Sequence, residues 1–225
     1  MSSGVINGVG NGVGNGGASH GALMDQVYRR QKHVYDLTRK YYLFGRDRLI
    51  AELGAQPGAS VLELGCGTGR NLARIATAYP DVRLYGLDIS HEMLELAGVK
   101  LAARAELAAG DATSFDPAGI FAKDRFDHIV LSYALSMIPD WQGAMAHAAN
   151  HLAPGGRLHI VDFGDLGELP RVLSGVLRRW LALFHVSPRD AMSEFAGRLA
   201  ATHGLVHAIA HGPGRYYQLI TLTRT

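Results

Sequence analysis

The sequence predicts one α/β domain: a mostly parallel seven-stranded sheet with helices on both faces and an antiparallel terminal hairpin. Three observations predict it. Strand-like apolar runs alternate with helical stretches from residue 59 onward, the pattern of successive βαβ units. A length of 225 residues with 48% hydrophobic residues suits one such domain and leaves little room for a second. Two late apolar runs are separated only by Gly212-Pro213-Gly214, a connection short enough to fold one back on the other.

Residues 1–21 repeat Asn-Gly-Val-Gly at 7–10 and 11–14 and offer few large side chains to offset the entropy of ordering, so they read as a disordered tail. A glycine-rich phosphate loop would need a strand ahead of it, and none precedes this segment. Residues 22–54 read as an N-terminal helical cap, broken near Gly45. Val27, Val34 and Tyr35 lie near one face, and Arg29, Arg30, Lys32, Arg39 and Lys40 surround it. From 22 to 53 there are seven Lys/Arg against four Asp/Glu, so the cap is either a solvated surface helix or a cover that also meets an anionic lipid surface.

Residues 55–225 form the core. Strands are expected at 60–64, 82–87, 105–107, 128–131 and 157–161, with helices at 70–78, 91–101 and 141–152. The closing strands are 205–211 and 216–223. A helical insertion falls at about 166–188, where Leu173, Val176, Leu177, Trp180, Leu181 and Phe184 alternate with Arg171, Arg178 and Arg179. Core packing is the commoner role for such a stripe; a substrate cover is the other.

Composition excludes several classes. A net charge of +2 does not suit a bulk nucleic-acid binder, although a pI near 8.7 allows local basic patches. Cys66 is the only cysteine, so no internal disulfide can form. The start of the chain lacks a charged region followed by an apolar one, and no apolar run approaches the roughly 20 residues that span a bilayer. A cytoplasmic protein is expected, with peripheral contact at the inner membrane surface left open. Nothing in the sequence bears on oligomeric state.

The chemistry concentrates in Val61-Leu62-Glu63-Leu64-Gly65-Cys66-Gly67-Thr68-Gly69-Arg70-Asn71: an apolar strand, a glycine-rich turn and the start of a helix. Such glycines let a ligand approach the backbone, and the helix start offers unpaired N–H groups. A second strand ends at Asp88, at the distance where a carboxylate reaches the ribose hydroxyls of a nucleoside lying across the strand ends. A nicotinamide dehydrogenase would space its last glycine one residue further on, and no Ser-Tyr-Lys set accompanies the loop here. Cys66 reads as a small packing residue within the loop.

This ordered set resembles the class I S-adenosylmethionine-dependent methyltransferase family over residues 61–164. The resemblance implies a Rossmann-like sandwich binding S-adenosylmethionine. Glu63, Gly65, Cys66 and Gly67 would lie at its methionine portion, Asp88 at the ribose, and Ile89 against adenine. In Gly110-Asp111-Ala112, the Asp111 carboxylate would accept from the adenine amino group and the Ala112 N–H would face a ring nitrogen; Asp111 can equally be a turn residue. Ser132 and Tyr133 follow the fourth strand, where substrate and catalytic groups lie in that family. Leu131-Ser132-Tyr133-Ala134 lacks the polar-Pro-Pro-aromatic segment of enzymes that methylate exocyclic amines of nucleic acids, so no nucleic-acid substrate is expected.

The cap segment from Tyr28 to Arg48, Val161-Asp162-Phe163-Gly164-Asp165, Leu169-Pro170-Arg171 and the run from Arg178 to Val186 resemble bacterial diacylglyceryl-homoserine N-methyltransferases. The Gly/Asn-rich leader has no counterpart there. This resemblance implies three methylations of a lipid amine, diacylglyceryl-homoserine, to a betaine lipid. Tyr28 and Tyr133 would stand near the amine, and Tyr35 and Arg46 near the methionine end of the cofactor. Of the histidines, His147 and His151 share a helix face, whereas His203, His207 and His211 cross Gly204 and do not converge; no catalytic metal is expected.

Overall fold

The computed structural model describes residues 43–183 and 186–225. The expected tail and the cap up to residue 42, with Tyr28 and Tyr35, lie outside the described residues. Gly45 takes a positive φ of 82° and precedes helix α1 (Arg46–Ala51) as its N-cap. α1 buries Leu49 and Ile50 in an apolar layer that also holds Leu43, Leu53, Val61 and Leu72.

β1 (Ser60–Leu64) follows, buried at every residue, as a near-continuous apolar run requires when both sheet faces are covered. Then come α2 (Arg70–Ala78), β2 (Arg83–Asp88), α3 (His91–Leu101), β3 (Ala105–Ala109), α4 (Pro117–Phe121), β4 (Phe126–Ser132) and α5 (Trp141–Asn150). The chain closes with β5 (Leu152–Phe163), α6 (Arg171–Ala182), α7 (Met192–His203), β6 (Leu205–His211) and β7 (Tyr217–Arg224). The sheet order is β3-β2-β1-β4-β5-β7-β6. β1 to β5 pair in parallel, and β7 runs antiparallel between β5 and β6. This is the Rossmann-like sandwich the sequence predicts.

Two apolar layers cover the sheet, one built around Phe126, Trp141, Met145 and Met192, the other around Leu53, Leu72, Phe163 and Leu181. Strands β1 to β3 run out to one edge, and the chain then returns to place β4 on the other side of β1. At such a reversal the loops beyond the strand ends diverge and open a crevice.

Several elements differ from expectation, among them α7, whose bounds the sequence leaves unset, and β3 and β4, which run further. β5 begins at Leu152 because the Pro154-Gly155-Gly156 turn is absorbed as an irregularity: Gly155 has φ 74°, and the register with β4 shifts between Phe126 and His128. The short α4 was not anticipated, although Asp116 caps it by accepting from the Ala118 N–H and Pro117 opens it. In α6 the apolar stripe divides. Leu181 is buried and Leu177 and Trp180 pack partly against the core, but Val172, Leu173 and Val176 are exposed, so core packing holds for the inward half alone. Among the described residues, no helix is long and apolar enough to cross a membrane.

Candidate active site at the strand ends

Beyond β1 the chain turns through Gly65, Cys66, Gly67, Thr68 and Gly69 into α2. The glycines have φ of 69°, 53° and 72°, where any side chain strains the backbone. Space is also short: a Cβ on Gly65 would lie 2.9 Å from the Ala134 Cβ, and one on Gly69 would lie 2.8 Å from Leu101 Cδ1. The turn is therefore pressed between the end of β4 and α3.

Asp88 holds this turn in place. Its Oδ2 accepts from the Gly67 N–H at 2.7 Å and its Oδ1 from the Ser90 N–H at 2.9 Å. Ser90 in turn caps α3 by accepting from the Met93 N–H at 3.4 Å. The Leu87 carbonyl accepts from the Gly65 and Cys66 N–H groups at 2.8 and 3.0 Å. Three loop N–H groups that the sequence left open to a ligand thus have protein acceptors. No side chain caps α2, which begins directly after the glycine turn.

Glu63 is buried. Its Oε1 accepts from Asn71 Nδ2 at 2.7 Å; Asn71 Oδ1 accepts from Arg70 at 3.1 Å, and Arg70 pairs with Asp47 of α1 at 2.9 Å. Its Oε2 is buried without a hydrogen bond. Burial pushes the carboxyl up to about 8, against the opposing Asn71 bond, and the Asp88 charge adds to the rise. Arg46 sits close enough for its charge to act downward on both Glu63 and Tyr133, and it donates to the Leu43 carbonyl at 3.1 Å. The start of α1 is thereby brought to the ends of β1 and β4.

Beyond β2, Ile89 is half-buried. Beyond β3, the Gly110 N–H donates to the Asp88 carbonyl at 3.0 Å, and Ala112 is buried. Asp111 is a turn residue: its Oδ1 accepts from the N–H and hydroxyl of Thr113 at 2.8 and 2.7 Å. Neither bond uses Oδ2.

At the end of β4 the Ser132 hydroxyl is buried without a partner. Tyr133 adopts φ 55°, unusual for a residue with a side chain. Its hydroxyl donates to the Phe44 carbonyl at 2.5 Å, and burial raises the phenol well above its usual range. Tyr133 is thus a buried donor whose oxygen is engaged by Phe44. The Tyr133 ring meets Phe163 at 4.8 Å; Phe163 meets Tyr216 at 5.8 Å, and Tyr216 meets Phe44 at 5.5 Å.

Asp162 adjoins this ring cluster. It is buried, its oxygens accept from the Ser136 and Phe163 N–H groups at 3.1 and 2.8 Å, and burial raises it to about 6. An acid within an apolar strand was the signal that could have marked it. Phe44 and Tyr216 were likewise missed, since only the fold brings them to Tyr133.

His147 and His151 do share a face, with rings 4.8 Å apart, but they bond the carbonyls of Phe115 and Asp124 at 2.8 and 3.0 Å. His203 ends α7, while His207 and His211 lie on β6. A pair not anticipated, His128 and His159, meets across β4 and β5 at 3.1 Å, and burial holds His159 down at about 3. Among the described residues no group of three or more His, Cys, Asp or Glu can hold a metal. Cys66 is buried and its thiol raised by burial, which suits packing.

These residues fit the nucleoside cofactor implied by the sequence. Unlike Gly65 and Gly69, Gly67 has open space beside it, with nothing within 4 Å of an added Cβ; acids stand at the ends of β2 and β3, and an orphaned Glu63 oxygen can accept from a cationic group.

Comparison with known proteins bears on the same region. A family model described as a methyltransferase domain matches residues 62–158. The chain is 31% identical over 163 residues to an O-methyltransferase, rstn1, of Aspergillus nomiae, covering 69% of this chain and 70% of that protein. It is 33% identical over 146 residues to a demethylmenaquinone methyltransferase of Beutenbergia cavernae, covering 63% and 56%. Its fold is similar to a phosphoethanolamine N-methyltransferase 2 of Haemonchus contortus solved with S-adenosyl-L-methionine (TM-score 0.64, 14% identity, 80% of this chain and 52% of that one). The chain spans 41% to 70% of the length of the curated relatives it matches.

Proposed function

The chain belongs to the class I S-adenosylmethionine-dependent methyltransferases, and from that premise we propose that it methylates a lipid amine. The acceptor in this reading is diacylglyceryl-homoserine, methylated three times to diacylglyceryl-N,N,N-trimethylhomoserine. S-adenosylmethionine supplies an electrophilic methyl group on a sulfonium. Asp88, Ile89, Asp111 and Ala112 would hold its nucleoside end, and Glu63, Gly65, Cys66, Gly67, Arg46, Ser132 and Tyr35 its methionine end.

The observation that carries the acceptor class is the ring cluster of Phe44, Tyr133, Phe163 and Tyr216 at the ends of β4 and β5, with the Asp162 carboxylate beside it. An amine that gains methyl groups becomes a permanent cation, and each aromatic face offers such a cation about 0.5–2 kcal/mol. The burial that raises Tyr133 and Asp162 also favours the neutral, nucleophilic form of an amine entering there. Tyr133 anchors Phe44 and so fixes one wall. Tyr28, outside the described residues, would join it near the amine, and an arginine would pair with the homoserine carboxylate. In this reading the protein works in the cytoplasm at the inner face of an anionic membrane and takes no nucleic acid.

A second reading, methylation of a demethylmenaquinone, is favoured by the Beutenbergia cavernae relative. Labelled cofactor with four acceptors separates the two: diacylglyceryl-homoserine, phosphatidylethanolamine, demethylmenaquinone and a soluble amine. Label in the homoserine lipid alone is expected. Label in the quinone or the soluble amine instead overturns the lipid-amine reading.

A further inference from the structure

α6 is apolar on its outward face as well as its inward one. At about 100° per residue, Val172, Val176, Trp180 and Leu183 fall on one arc with Leu173 at its margin, while Leu177 and Leu181 occupy the neighbouring arc that faces the core. Val172, Val176 and Leu183 are 81%, 61% and 73% exposed, and Leu173 is 52% exposed. A run of this kind on a helix is not scattered surface hydrophobicity, because the residues are contiguous.

The charge carried by the helix itself has one sign, with Glu168 and Asp190 flanking it. From residue 169 to residue 189 the sequence holds four arginines and no acid. Arg178 is neutralised by Asp190 at 2.8 Å, and Arg189 donates to the carbonyls of Leu135 and Ile138 at 3.3 and 2.9 Å. Arg171 and Arg179 remain exposed beside the apolar arc. The chain's own residues 22–42 suit this face poorly, since they carry five Lys/Arg against two Asp/Glu and would bring like charge to it. An amphipathic helix with aliphatic residues and arginines matches the boundary of an anionic bilayer. α6 is also placed to serve the site, because Leu177 and Trp180 pack in the same layer as Leu43, Tyr133 and Tyr216.

We propose that the outward face of α6, with Val172, Leu173, Val176 and Leu183 flanked by Arg171 and Arg179, docks the protein on an anionic lipid surface beside the acceptor site. This deepens the lipid-acceptor reading and rests on it for its purpose, although docking can be measured without any acceptor.

The test is flotation of the full chain with vesicles of phosphatidylcholine containing phosphatidylglycerol, none of which carries a homoserine headgroup. The wild type should bind, and Val172→Asp/Val176→Asp should lower partitioning at least tenfold while keeping wild-type affinity for S-adenosylmethionine. Arg171→Gln/Arg179→Gln should weaken binding to these vesicles and remove its dependence on salt. A Val176→Cys chain should alkylate readily alone and be protected by the vesicles. A wild type that stays unbound, an aspartate variant that binds as well as wild type, or a Val176→Cys thiol that resists alkylation without vesicles overturns the proposal. So does an aspartate variant that turns a dimer into a monomer with vesicle binding unchanged. Docking without any labelled lipid product would defeat the acceptor reading and leave the docking face standing; labelled product in detergent without docking would do the reverse.

Discussion

Asp88 accepts from backbone N–H groups of two different loops, and that dual duty distinguishes it from an acid that only contacts a ligand. Removing a charged acceptor of this kind costs about 1.5–3 kcal/mol and leaves the Gly67 N–H without its partner. Asp88→Ala is therefore expected to weaken S-adenosylmethionine binding at least tenfold by calorimetry, through loosening of the loop as well as loss of contact. Tyr133 makes a different prediction. Its hydroxyl is a buried donor to Phe44, so Tyr133→Phe should cost about 1 kcal/mol of stability. The loss should appear as a melting temperature lower by about 2–4 °C. Cofactor affinity should stay near wild type while KM for the acceptor rises, because the wall carrying Phe44 is released. A melting temperature that does not move would mean the bond to Phe44 is not formed in solution.

Among the elements, the glycine turn and its two neighbours behave as one unit. A methyl group on Gly69 would meet Leu101 Cδ1 at 2.8 Å and Ala97 Cβ at 3.2 Å at a φ of 72°, so Gly69→Ala strains the turn and crowds its contact with α3. Thermal unfolding and calorimetry should show loss of stability and of cofactor binding together; loss of one alone would separate turn from helix packing. This unit was legible in the sequence because its signals are local. The strand before Gly65, the spacing to Asp88 and the alternation of periods also predicted β1, α2, α3 and β6 at the bounds observed. What could not be read depends on contacts between distant segments. Phe44 and Tyr216 meet only because α1 and β7 converge on β5, Asp162 becomes special only when burial raises it, and the outward half of α6 looks like core until the sheet is seen to cover one side of it. The strand at β5 was misjudged at its start because a Pro-Gly-Gly sequence signals a turn wherever it stands, including inside a bulge.

For the molecule as a whole, buried titratable groups set a stability window. Glu63 titrates near 8 in the fold against 4.5 unfolded, so its contribution is fully present below about pH 4.5 and is lost as pH rises through 8. Asp162 acts in the same direction, between 3.8 and about 6. His159 opposes them. Its folded value of about 3 against 6.5 means the unfolded chain binds more protons in that interval, so stability falls as pH drops from 6.5 toward 3. Denaturant titrations should thus show Glu63→Gln losing less stability than wild type from about pH 5 to about pH 9. His159→Gln should flatten the acid side of the profile. Identical pH profiles for wild type and both variants would place these groups at ordinary values.

The position of β7 has a consequence for biosynthesis. β7 lies between β5 and β6 yet is translated after both, so the nascent β6 leaves the ribosome before the strand it pairs with. Until residues 217–224 emerge, the free edge of β5, including Ile160 and Val161, stays open to any strand that arrives first. A premature stop within those residues would remove the neighbour of two strands at once, and the shortened product should collect in the insoluble fraction during expression.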